Sequence, residues 1–161
     1  MLLTHPAVKT ILQHPFFKNL GQKEQEQLIA QSHDQHFTAG DVLFRQGDPA
    51  ERFFLVLKGR VKLYRISADG QEKVVEIIQQ EQTFAEAVMF MQRSEYPVCA
   101  EALDAVQLIS FPNRLVLNFL EENPQACLHL LGHMSIRLHQ RLGELETLTL
   151  QNATQRFALY L

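Results

Sequence analysis

From Asn123 to about Gln151 the chain reads NPQACLHLLGHMSIRLHQRLGELETLTLQ, with no proline after Pro124 and only Gly132 and Gly143 as glycines. Asn123 suits the residue just before a helix, because its side chain can accept from a free backbone N–H there. Pro124 suits the first helical position, where a missing N–H costs nothing. Leu131, Leu138 and Leu145 recur at intervals of seven, and a second row runs Leu128, Ser135, Leu142, Thr149. Taken as a and d positions, the two rows describe a coiled-coil stripe of about three to four heptads. A single helix this long cannot bury such a stripe within a small domain. The spacing therefore predicts a helix that packs against its twin from a second chain, with Leu128, Leu131, Leu138, Leu142 and Leu145 at the dimer interface. The rest of each chain would ride on the outer face. The competing reading is an amphipathic helix lying on its own domain.

A chain of 161 residues can build one domain with a real core, and 46% hydrophobic residues with 20% charged is an ordinary soluble balance. The formal charge of −3 gives no global attraction to nucleic acid or anionic membranes. Cys99 and Cys127 are too few for a disulfide framework or a four-cysteine cluster. The opening MLLTHPAVKT lacks the apolar run of a signal peptide, and no stretch approaches the roughly 20 apolar residues that span a bilayer. A cytoplasmic location, with reduced cysteines and no membrane partner, is the expectation.

Residues 1 to about 36 read as helical: Pro6 opens a short helix through Val8, Ile11 and Leu12 that Pro15 stops, and Gly21 with Glu24 starts a second that ends near Ser32. At Phe37 the pattern changes to period-two alternation with turn dipeptides. Strands are predicted at Val42–Gln46, Arg52–Lys58, Val61–Ile66, Lys73–Ile78, Ala100–Leu103 and Gln107–Phe111, with Asp69-Gly70 as a hairpin turn. Many short strands with regular turns imply a sandwich, jelly roll or barrel. Asn113 is expected to cap a short helix through Leu115, Phe119 and Leu120 that leads into the long one. The organisation is thus a mainly β domain with N-terminal helices at 1–122 and a long helix at 123–161. The apolar ending Phe157–Leu161 suggests a domain boundary with more chain beyond.

Three stretches together carry a resemblance: Gly40-Asp-Val-Leu-Phe-Arg-Gln-Gly47-Asp48, Phe54-Leu-Val-Leu-Lys-Gly59-Arg-Val-Lys-Leu-Tyr64 and Phe84-Ala-Glu86-Ala. With the long helix behind them, they resemble the sensory domain of the cAMP receptor protein/FNR superfamily of bacterial transcription regulators. The implied fold is mainly β with helices: a cyclic-nucleotide-binding-type β-roll (jelly roll) flanked by N-terminal helices and a long C-terminal dimerisation helix. Gln71-Glu-Lys73, Met89-Phe-Met91, Arg137-Leu-His-Gln-Arg141, Glu144-Leu-Glu-Thr-Leu148 and Asn152-Ala-Thr154 are most similar to the dissimilatory nitrate respiration regulator subgroup. That resemblance implies haem as cofactor, nitric oxide as the sensed partner, control of denitrification genes, and a homodimer. It implies DNA contact only through a helix-turn-helix domain absent from this chain, to which Asn152–Leu161 would lead.

Cyclic-nucleotide binders of the superfamily carry Phe-Gly-Glu, then an arginine about ten residues later that neutralises the phosphate. Here the glycine is Ala85, Glu86 is kept, and the arginine position falls on Tyr96. A phosphate buried without its cation is costly, so cyclic nucleotide binding is not expected. By the resemblance the cofactor-binding residues are His14, Phe84, Glu86, Met89, Met91 and Tyr96, with His14 as the iron ligand; Met89 and Met91 can equally be plain core, and Glu86 a structural carboxylate. Haem would lie between the β-roll and the outer face of residues 128–142. His129 and His133 share a helix face at metal-ligand spacing, or are simply two surface histidines. The cysteines are too few and misplaced for an FNR-type iron–sulfur cluster. No Gly-x-Ser-x-Gly or His-Glu-x-x-His occurs, and the predicted strands hold no histidine, so an enzyme is not expected. The alternatives kept open are a receptor for another small molecule or cyclic nucleotide, and a purely structural dimerisation module.

Overall fold

The structure, a computed structural model, describes residues 5–159, with side chains described for 6–147 and 150. Two helices open the chain: α1 (His5–Gln13) and α2 (Gln22–Gln31). Eight strands follow: β1 (His33–Phe37), β2 (Val42–Phe44), β3 (Arg52–Lys58), β4 (Val61–Ile66), β5 (Glu72–Ile78), β6 (Thr83–Phe84), β7 (Cys99–Ala102) and β8 (Val106–Pro112). A short α3 (Glu86–Phe90) sits between β6 and β7, and α4 (Asn113–Glu122) and α5 (Pro124–Leu159) close the chain. The strands form two antiparallel sheets, ordered β1-β8-β3-β6 and β2-β7-β4-β5. This is the cyclic-nucleotide-binding-type β-roll, with a long C-terminal helix.

The apolar run of β3 explains how the layers assemble. Successive side chains point to opposite faces of a sheet. Phe54 and Val56 enter the roll interior with Phe44, Phe84, Val61 and Leu108. Phe53 and Leu55 point the other way and pack with Phe16, Phe17, Leu28 and Leu120 of the helical layer. A strand buried on both faces reads as a continuous hydrophobic run, as Phe53–Val56 does. Two cores thus share one sheet.

Four local expectations change. Residues 33–36 are not helical but belong to β1, which puts His33 and His36 on a strand; His-Asp-Gln-His-Phe is polar and lies at a sheet edge against β8, so no alternation marks it. The two-residue β6 is too short to show a period. Asn113 does not cap α4: the preceding position is Pro112, and the Asn113 amide nitrogen instead donates to the Ala50 carbonyl at 3.4 Å. Gly21 precedes α2 without a side-chain cap. Asn123 does serve α5 as expected, its Oδ1 accepting from the Ala126 N–H at 3.2 Å.

At 1.5 Å per residue the 36-residue α5 is about 54 Å long. Its own domain covers one face: Ala126 and Leu130 are buried, and Cys127, His133, Met134 and Arg137 are half-buried. The leucine rows lie elsewhere. Leu128, Leu131, Leu138, Leu142 and Leu145 are 48–61% exposed, and Ile136 adds to them. The row is therefore left largely uncovered by the chain's own domain, and of these five leucines Leu138 also borders the β-roll. Thr149 and the side chains of Asn152–Leu161 lie outside the described residues.

Candidate functional site: a groove between the roll and the long helix

The segment Thr83–Val88 turns from β6 into α3, and it turns through Ala85, whose φ of 66° and ψ of 7° are left-handed. This conformation costs a non-glycine residue roughly 1–2 kcal/mol. The backbone therefore keeps a shape that glycine would adopt freely, although glycine is absent. Opposite this turn runs the half-buried face of α5.

Between them lies a groove of about 340 Å³. Phe84, Ile78 and Val88 line it from the roll, Tyr96 and Pro97 from the following loop, and Met134, Arg137, Leu138 and Arg141 from α5. Glu86 and Glu76 also reach it. Burial raises the Glu86 carboxyl above the usual range, against the opposing pull of its own backbone N–H and of the Arg137 charge. Arg141 Nη2 is 3.0 Å from Glu76 Oε1, an exposed ion pair between α5 and β5. No side chain among the described residues hydrogen bonds or ion-pairs with Arg137. A wider depression of about 900 Å³ lies on the far side of Tyr96; it is bordered mainly by loops and α5 does not reach it.

The predicted site residues divide. Phe84, Glu86 and Tyr96 line the groove. Tyr96, standing at the expected arginine position, stacks on Phe44 at a centroid distance of 3.8 Å and donates its hydroxyl to the Arg52 carbonyl at 2.7 Å. Met89 does not reach the groove: it is 1% exposed within the helical-layer core. Met91 is 61% exposed and lines no part of the groove. α3 is short, and its single turn sends Val88 inward, Met89 to the other core and Met91 to solvent.

His14 lies in an adjoining cleft of about 410 Å³ with His133, Glu81 and Arg137. Its Nδ1 accepts from the Phe16 N–H at 3.2 Å, and its ring meets that of Phe16 edge-on at 5.1 Å. Burial, then the nearby His133 and Arg137, lower its pKa from 6.5 to about 4. His14 is therefore a neutral imidazole at physiological pH. Arg137 lines both the groove and this cleft, so the two hollows meet at its side chain. His133 turns toward the cleft while His129 stays exposed, so the two do not act as a pair. Among the described residues, no three histidine, cysteine or acidic side chains converge on one point.

Sequence reasoning missed Arg137 and Arg141 as groove residues. The signal was present, since Leu130, Met134, Arg137 and Arg141 follow one another at three- and four-residue steps along one helix face. It was overshadowed by the seven-residue leucine rows. The missing cassette arginine therefore does not leave the groove without cations.

The profile of the cyclic nucleotide-binding domain family matches residues 34–123, more than half the chain. The chain belongs to the cyclic nucleotide-binding domain family. Within it, this is a CRP/FNR-type sensory domain. It superposes on the crystal structure of DNR from Pseudomonas aeruginosa with a TM-score of 0.85 and 39% identity, over 100% of this chain and 71% of that one. The crystal structure of the sensor domain of that transcriptional regulator gives a TM-score of 0.75 and 37% identity, over 86% and 93%. Among curated relatives, the global nitrogen regulator of Synechococcus elongatus is 33% identical over 79% of this chain and 58% of its own length. The chain spans little more than half the length of the curated relatives it matches first. These relatives are named as regulators and a transcriptional activator, not as enzymes. Among the described residues no helix is long and apolar enough to cross a membrane.

Proposed function

We propose that this domain senses nitric oxide through haem held in the groove, and that two copies pair through α5 to carry the signal toward a DNA-binding domain controlling denitrification genes. The observation that carries the reading is Leu138, which lines the groove and also continues the exposed leucine row. The similarity to the Pseudomonas regulator supports the choice of sensing domain.

The residues suit the cofactor. Phe84, Ile78, Val88 and Met134 offer apolar walls to a flat macrocycle, and Arg137 and Arg141 offer cations to its acidic side arms. His14 offers a neutral imidazole whose Nε2 has no partner among the described residues. Met134 offers a thioether from the groove wall itself. When bound, haem supplies the iron that takes a diatomic gas. The chain's part is to shield that iron with the apolar walls and to couple occupancy of the groove to α5 through Met134, Arg137 and Leu138. A ligand shifts such an equilibrium only as far as it favours one arrangement of the helix pair.

A second reading has one observation in its favour. Arg137 and Arg141 supply the positive charge that the cassette lacks, so a cyclic nucleotide or another organic anion is the alternative occupant.

Titration of the chain with haemin, followed at the Soret band, tests the proposal. A saturable shift near one equivalent per chain supports haem. Its absence, with saturable calorimetric binding of cAMP, transfers the groove to the second reading. A shift unchanged by His14→Ala keeps haem and removes His14 as a ligand.

A further inference from the structure

The groove holds an arginine whose situation is unusual. Arg137 is half-buried at the point where the groove and the His14 cleft meet, and nothing among the described residues pairs with it. A partly desolvated cation without a partner is costly, and the cost is relieved when an anion arrives. The carboxylates nearby do not fill that role. Glu76 is engaged by Arg141 at 3.0 Å, and Glu86, which lines the same groove, makes no hydrogen bond or ion pair with Arg137. The histidines of the cleft cannot serve either, since an imidazole offers no negative charge.

We propose that Arg137, with Arg141 one turn further along α5, is the carboxylate-recognising group of the groove. The ligand is then an apolar organic acid whose carboxylate is read from the long helix and not from the turn at Ala85. This rests on the reading of the groove as the ligand site. The rest of the lining agrees with it: Phe84, Ile78 and Val88 suit an apolar body, and only the α5 side offers cations. Arg141 plays the secondary part. Its ion pair with Glu76 is exposed at both ends, with side chains 52% and 37% exposed, and such pairs contribute little. An incoming carboxylate can therefore take Arg141 from Glu76 at small cost. A ligand bound this way pulls on α5 itself, beside Leu138.

The test uses two acids and their esters on the purified chain. The acids are cis-parinaric acid, an apolar carboxylate that fluoresces when it leaves water, and haemin; the esters are methyl parinarate and haemin dimethyl ester. Both acids should bind saturably, and each ester about tenfold more weakly or worse. Arg137→Gln should lower affinity for the acids about tenfold and leave that for the esters unchanged. Arg137→Lys should recover part of the loss, and Arg141→Gln should cost about threefold. Circular dichroism melts establish that the variants fold.

Esters binding as tightly as acids would overturn the assignment. So would a folded Arg137→Gln chain that binds the acids like wild type, or a wild-type chain that binds neither acid. Parinarate binding that depends on Arg137, with no haemin binding, keeps the carboxylate assignment and removes haem. Haemin binding indifferent to Arg137 keeps haem and removes the assignment.

Discussion

Phe84 and Leu138 line one groove from two different layers, Phe84 from the short edge strand β6 and Leu138 from the long helix. Phe84 is fixed, 2% exposed in the roll core, whereas Leu138 is 59% exposed in the chain by itself. One wall of the groove is thus rigid, and the other belongs to a helix with an uncovered apolar row. A molecule in the groove therefore touches the element that also offers the dimer seam.

Leu131→Lys should weaken self-association without disturbing the groove, because Leu131 belongs to the exposed row and does not line the groove. Burying a leucine fully is worth roughly 1.5–3 kcal/mol, and each interface contains it twice. A rise of about a hundredfold or more in the dimer dissociation constant is expected by sedimentation equilibrium. A wild-type chain that is monomeric at micromolar concentration would remove the paired-helix reading altogether.

His14 should make the fold acid-sensitive. Its pKa is about 4 in the folded chain against 6.5 ordinarily, so the unfolded chain takes up the proton first. The stabilisation is complete above pH 6.5 and is lost as pH falls toward 4, up to about 3 kcal/mol. Urea unfolding of wild type and His14→Gln at pH 7 and pH 4.5 checks this. The variant should lose less stability over that interval.

Glu86 works in the opposite direction. Burial raises its carboxyl, so the folded chain holds the proton more tightly than the unfolded chain. Its stabilisation is present at pH values below the ordinary glutamate range and is lost as pH rises through the folded value. Glu86→Gln should remove this loss and melt at a higher temperature than wild type at pH 7, with the gap closing toward pH 4. Melting curves across that range provide the check.

These contributions differ in how far the sequence announced them. The buried runs of β3 and β4 and the cap at Asn123 were legible, because alternation and capping chemistry act within a few residues. β1 and β6 were not, because a polar edge strand and a two-residue strand are defined by their partners β8 and β3. Phe84, Glu86 and Tyr96 could be placed through the motif around them. Met89 and Met91 could not, since a five-residue helix sends neighbouring side chains to different layers. Arg137 required knowing which face of α5 meets the roll, and that is decided by packing.

Gly59 is a further constraint on the roll. It has a φ of +87°, and a Cβ there would lie 2.3 Å from the Ala105 carbonyl oxygen and 3.0 Å from the Val106 Cα. Both are backbone atoms that cannot move aside without disturbing β8. Gly59→Ala should destabilise by roughly 1–3 kcal/mol from the backbone conformation alone, with the clash in addition. Chemical denaturation should show a lower midpoint and an unchanged slope.

The coupling between groove and helix pair is measured most directly by sedimentation equilibrium of the wild-type chain with and without saturating haemin, detected at both the protein and the Soret wavelengths. Binding and dimerisation that share α5 must influence each other reciprocally. The account predicts that bound haemin changes the dimer dissociation constant by at least about fivefold, and that Leu138→Ala diminishes the change. Saturable haemin binding with an identical dissociation constant in both conditions would contradict it.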